Sequence, residues 1–180
     1  MTSRVQEIRG ASAKLDSLNK RINETVRTRD RGAEERERWS RACAEFHTKY
    51  AELFYPGGDA SLDALKRHES GAIQLALDFL DADPHHFRSG YTKEEVWRRV
   101  RNAPLIAKDK LRLEEIAIRY LDRRISREFW AMARVCRLSP QANSGIACAA
   151  WQNPKAIRRK RERHICSCTG KVLPQAARIE

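Results

Sequence analysis

From Ile8 to Leu53, apolar side chains of this chain recur in a single heptad register. Position a falls on Ile8, Leu15, Ile22, Cys43 and Tyr50, and position d on Ala11, Leu18, Trp39, Phe46 and Leu53. A repeat of this kind belongs to helices that bury a narrow seam against another helix. Between the two apolar stretches the same register meets Thr25, Arg29, Gly32 and Arg36, within the polar run RTRDRGAEERER. Phase kept across that gap predicts one long, coiled-coil-like helix over residues 1–55. Gly32 permits a hinge, because glycine costs about 1 kcal/mol relative to alanine inside a helix. The alternative is two amphipathic halves docked on different surfaces. The seam residues Ile8, Leu15, Leu18 and Ile22 are the expected contacts with a protein partner or a second copy of the chain. Tyr55-Pro56-Gly57-Gly58-Asp59 stops the helix.

Helical spacing resumes beyond this stop. Leu65, Ala72, Ile73, Ala76, Phe79 and Leu80 share a face, with a break expected at Ser70-Gly71 and an end at Asp83-Pro84. His85 to Gly90 read as a loop. Thr92 and Glu95 form a capping box flanked by Tyr91 and Val96, which predicts a helix start at Thr92. Pro104 suits the first position of the next helix, which extends with a kink near Asp122-Arg123-Arg124 to about Leu138. Its residues Ile106, Leu113, Ile116, Ala117 and Tyr120 form one apolar face and Leu111, Ile118 and Ile125 another, so it is expected to pack from both sides. Ser126 caps a last core segment through Phe129, Met132, Ala133 and Cys136. Strand-like alternation of useful length is missing. The expected architecture is all-α: the long N-terminal helix, a small helical bundle over 59–139, and a basic tail over 140–180 with a short helix near 154–165.

Charge is distributed unevenly. The 180-residue chain carries 36 Lys+Arg against 24 Asp+Glu, net +12. Residues 1–58 are net +3, residues 59–90 net −3, residues 91–139 net +6 and residues 140–180 net +6. Arg158, Arg159, Lys160, Arg161 and Arg163 crowd into six positions beside a single acid, Glu162. On a helix they occupy more than half the circumference, which favours a polyanion whose phosphates displace counterions. Arginine, with 26 of the 36 basic residues, pairs bidentately with phosphate. Arg98, Arg99 and Arg101, followed by Lys108, Lys110 and Arg112, extend the same footprint. A solvated surface, a nuclear-import signal or a membrane-surface patch are the plainer readings of such runs. Trp97 and Trp130 sit at core spacing, whereas Trp151 has polar neighbours.

Catalytic patterns are weak. Cys43 and His47 are four apart, but Cys43 lies on the apolar seam. The pairs Glu34-Glu35, Glu94-Glu95 and Glu114-Glu115 diverge by about 100° on a helix, so they form no acid–base dyad. Cys148, His164, Cys166 and Cys168 are zinc-type donors at unsuitable spacing. His85 and His86 lie beside Asp81 and Asp83, which a solvated loop or a surface metal explains. Phosphate loops, G-x-S-x-G and H-E-x-x-H are absent from the sequence. A reader of helix-turn-helix type lacks its turn and a base-reading face.

These features predict a non-enzymatic interaction subunit with no metal or cofactor. It binds nucleic acid, RNA slightly ahead of DNA, through its basic C-terminal half. The alternatives are an adaptor or assembly factor built on the N-terminal helix, its tail on an acidic protein surface, and a coiled-coil-dimerised DNA-binding regulator. A charged N-terminus without an apolar h-region, an odd cysteine count and no run of about 18 apolar residues predict an intracellular protein that does not insert into membranes.

Overall fold

The structure is a computed structural model that describes residues 3–121 and 128–136. Seven helices and no strand occur among the described residues: α1 (Arg4–Val26), α2 (Ala33–Leu53), α3 (Gly58–Lys66), α4 (Ser70–Ala82), α5 (Ser89–Arg101), α6 (Ala107–Leu121) and α7 (Phe129–Cys136). All belong to one unit, Met1–Leu138. No helix of these is long and apolar enough to cross a membrane.

The heptad stretch is two helices, not one. The chain turns over residues 27–32, and α2 returns antiparallel along α1. The polar positions Arg29 and Gly32 offer nothing to hold a continuous seam, whereas folding back brings the two apolar ends together. Leu15, Leu18 and Phe46 form a buried cluster, with Ile22, Tyr50, Leu53 and Phe54 packed around it. Arg21 and Glu45 pair across the hairpin. Toward the N-terminus α1 leaves α2 and packs on α4. Ile8 is buried, the Arg9 Nε donates to the Ala82 carbonyl at 3.2 Å, and Arg4 lies 3.5 Å from Asp78. Ile8, Leu15 and Leu18 are therefore covered by the chain's own helices, and Ile22 is half-buried against them. This corrects the expectation of a seam open to a partner.

α4 is the centre of the unit and touches α1, α3, α5 and α6. Ala72, Ile73, Ala76, Leu77, Phe79, Leu80 and Ala82 are all buried, as a helix without charge between Ser70 and Leu77 demands. Its two outward acids are used structurally. Arg112 on α6 lies 2.7 Å from Asp78 and 3.1 Å from Asp81, and Arg119 lies 2.7 Å from Asp81. Burial alone would raise the Asp81 carboxyl, but the hydrogen bonds and charges of Arg112 and Arg119 hold it below its ordinary value.

Four local expectations are corrected. α5 starts at Ser89, not at Thr92, so Thr92 lies inside the helix and is buried. The Ser89 hydroxyl accepts from the His86 backbone N–H at 3.2 Å, and the Ser89 N–H donates to the His86 carbonyl, which closes the turn earlier. α6 starts at Ala107, so Pro104 precedes the helix rather than opening it. Its second apolar face is not packed: Leu113, Ile116, Ala117 and Tyr120 are buried, while Leu111 and Ile118 remain 52% and 56% exposed. Trp97 is fully buried as expected from its spacing, but Trp130 is exposed.

Candidate nucleic-acid interface

The connection between α4 and α5, Asp83 to Arg88, is bounded by two residues of uncommon backbone geometry. Asp83 and Arg88 both adopt left-handed backbone at φ of 48° and 64°. Such residues are uncommon and persist where the surroundings hold them. Here the hold is a buried ion cluster. Lys93 on α5 lies 3.0 Å from Asp83 and 2.7 Å from Glu128, just before α7. Its ammonium also sits 5.9 Å from the Tyr120 ring. The Asp83 carboxylate takes His85 Nε2 at 2.9 Å on its other oxygen. Lysine is seldom fully buried, and here two carboxylates and a ring replace its water.

His86 is buried beside this cluster. Its Nδ1 contacts the Phe87 carbonyl at 2.9 Å, and its Nε2 has no hydrogen-bond partner among the described residues. Burial pushes His86 below the ordinary histidine value; the Phe87 carbonyl opposes this, and Lys93 adds to it. His85 is also lowered, by burial and then by Lys93, against Glu128.

Beyond His86 the connection surfaces as an aromatic and cationic ridge. Phe87 meets buried Phe46 edge-on at 5.9 Å, and Tyr50 meets Phe46 at 5.6 Å and His86 at 6.1 Å. Tyr50 in turn stacks on Phe54 at 5.5 Å. Phe87 and Tyr91 are 50% and 54% exposed. The Arg88 guanidinium lies between them, 5.9 Å from the Phe87 ring and 5.7 Å from the Tyr91 ring. Burial raises the Tyr50 phenol, opposed by the Arg88 charge and a hydrogen bond from Thr92. The ridge therefore stands on a fixed base formed by α2 and the start of α5. Sequence reasoning placed these residues in a loop and a cap and missed the ridge. The available signal was the F-R-x-x-Y spacing, which sets two rings four residues apart around a cation.

The expected basic set is divided. Arg99 is half-buried, bound to the Leu62 carbonyl and, at 2.6 Å, to Glu95, and Arg112 is taken by α4. Arg98 is exposed, 3.3 Å from Glu95, and Arg101 is partly exposed beside Asn102. Lys108 and Lys110 face solvent. Arg98, Arg101, Lys108 and Lys110 can therefore reach a phosphate, whereas Arg99 serves the fold. Arg158, Arg159, Lys160, Arg161 and Arg163 lie outside the described residues, as do Trp151, Ile125, Ser126, Cys148, His164, Cys166 and Cys168. Cys43 is half-buried and His47 is exposed with its ring edge-on to Phe46. No cluster of three metal-type ligands occurs among the described residues.

Compared with protein-family models, curated proteins and solved structures, the chain matches none.

Proposed function

We propose that this chain is a non-enzymatic helical interaction subunit that binds nucleic acid, RNA slightly ahead of DNA, through its basic C-terminal half, within a larger assembly. The observation that carries this reading is charge placement: residues 140–180 hold eight basic and two acidic side chains, five of the former within 158–163. The folded unit supports it from the other side. Asp78, Asp81 and Asp83 are neutralised internally by Arg112, Arg119 and Lys93, while Arg98, Arg101, Lys108 and Lys110 stay at the surface. Binding of the full chain to a labelled oligonucleotide tests it. Affinity falls steeply between about 50 and 200 mM salt, and changing Arg158, Arg159, Lys160, Arg161 and Arg163 to Gln removes most of it. Salt-insensitive binding, or full affinity in that variant, refutes the reading.

A second reading, a protein–protein adaptor, draws on the uncovered Leu111 and Ile118 of α6 rather than on the N-terminal seam. Sedimentation of the full chain and of a Leu111→Ser, Ile118→Ser variant tests it: the wild type associates and the variant does not.

A further inference from the structure

We infer that Phe87, Arg88 and Tyr91 form a stacking platform for the unpaired bases of a single-stranded nucleic acid. This rests on the nucleic-acid reading above and adds to it a site in the folded unit and a preference for single strands over duplex.

Three properties of the ridge carry the inference. It presents two half-exposed aromatic rings, Phe87 in the turn just before α5 and Tyr91 in the first turn of that helix. Every base has a π-face, so such rings bind unpaired bases irrespective of sequence. One of the rings is also held in place. Phe87 rests edge-on against buried Phe46, and the backbone around it is fixed by the His86–Phe87 and His86–Ser89 hydrogen bonds. A fixed ring loses little freedom on binding. Finally, a cation stands between the rings, 5.9 Å and 5.7 Å from them.

That cation selects the occupant. An apolar protein surface laid over both rings would strip water from Arg88 and return no charge, which is costly. A nucleotide strand supplies a phosphate for the guanidinium and bases for the flanking rings. Duplex supplies the phosphate only, because its bases are already stacked and paired.

The test uses the full chain, a labelled oligouridylate or oligothymidylate, and a duplex of equal length. Phe87→Ala with Tyr91→Ala weakens single-strand binding about tenfold or more, since each stacked base is worth about 1–3 kcal/mol, and leaves duplex binding within twofold. The slope of affinity against salt is unchanged, because stacking releases no counterions. Arg88→Gln lowers that slope by about one. Because Phe87 touches the core, Phe87→Leu and Tyr91→Ala are also measured singly; both keep the helix content and thermal midpoint of the wild type and each loses part of the single-strand affinity.

If the wild type binds neither nucleic acid, the nucleic-acid reading fails and takes this inference with it. If the wild type binds both and the double variant still binds single strands normally, or loses both ligands equally, the platform alone is refuted. Wild-type self-association abolished by the double variant would assign the ridge to a second copy and overturn the proposal.

Discussion

The ammonium of Lys93 lies 2.7 Å from the Glu128 carboxylate, with the two side chains only 2% and 4% exposed. With Asp83 at 3.0 Å on the same nitrogen, one lysine joins the end of α4, the middle of α5 and the start of α7. Removing the lysine strands two carboxylates in the core. Lys93→Met is therefore expected to cost about 3–5 kcal/mol, read as a lower midpoint in urea unfolding. Exchanging a surface lysine such as Lys108 for Met leaves the midpoint within about 0.5 kcal/mol.

His86 gives stability a defined pH dependence. Burial holds it below the ordinary histidine value, so the folded state prefers it neutral. Its contribution is present above about pH 6.5, where the unfolded histidine is already neutral, and is lost as the pH falls through the lower folded value. Asp81 is also lowered, so its contribution is lost in a separate window below about pH 3.8. Denaturation at pH 7.5 and pH 5.5 should show lower stability at the acid value. His86→Asn, which keeps a donor for the Phe87 carbonyl but does not titrate, should narrow the difference.

Gly57 precedes α3 at φ 75°, and a β-carbon there would collide with the Ser61 hydroxyl. Gly57→Ala is expected to lower stability by about 1–3 kcal/mol. Gly10 lies within α1 with open space where a β-carbon would stand. Gly10→Ala should raise stability by about 0.5–1 kcal/mol. Thermal unfolding of the two variants distinguishes the signs.

The hairpin makes a prediction that a continuous N-terminal helix does not. Cysteines substituted for Arg21 and Glu45, side chains that pair across α1 and α2, should be joined rapidly by a short bifunctional thiol reagent in the monomer, with the five native cysteines, Cys43, Cys136, Cys148, Cys166 and Cys168, changed to Ser. Labels on those positions would lie about 36 Å apart on one straight helix. Leu15→Ala, at the centre of the same packing, is expected to cost about 2–5 kcal/mol.

The all-α character was legible because apolar periodicity is a local property, and so was the core face of α3 and α4. Leu65, Ala72, Ile73, Ala76, Phe79 and Leu80 are all buried as their spacing requires. What escaped depends on distant partners. A heptad phase is the same whether a helix continues past Arg29 or folds back, since only the tertiary gain of Leu18 against Phe46 decides. The start of α5 was misplaced because Thr92 and Glu95 make a good cap in isolation, while Arg88 accepts a left-handed backbone that favours an earlier start. Lys93 reads as a surface lysine until Glu128, far along the chain, is brought to it. Of the expected basic surface, Arg98 and Arg101 remain outward, but the loss of Arg99 and Arg112 to the interior depends on Leu62, Asp78 and Asp81, which no run of neighbours reveals.

The hairpin also orders events during synthesis. The half of α1 around Leu15 and Leu18 meets its partner as soon as α2 is made, across a connection of a few residues, and contacts that close in sequence form quickly. The half around Arg4, Ile8 and Arg9 must wait for Asp78 and Ala82 of α4. One helix thus serves two successive clients. Until the second emerges, its first turns have little to hold them, and a nascent chain stopped before α4 should expose them to protease while Leu15 and Leu18 are already shielded.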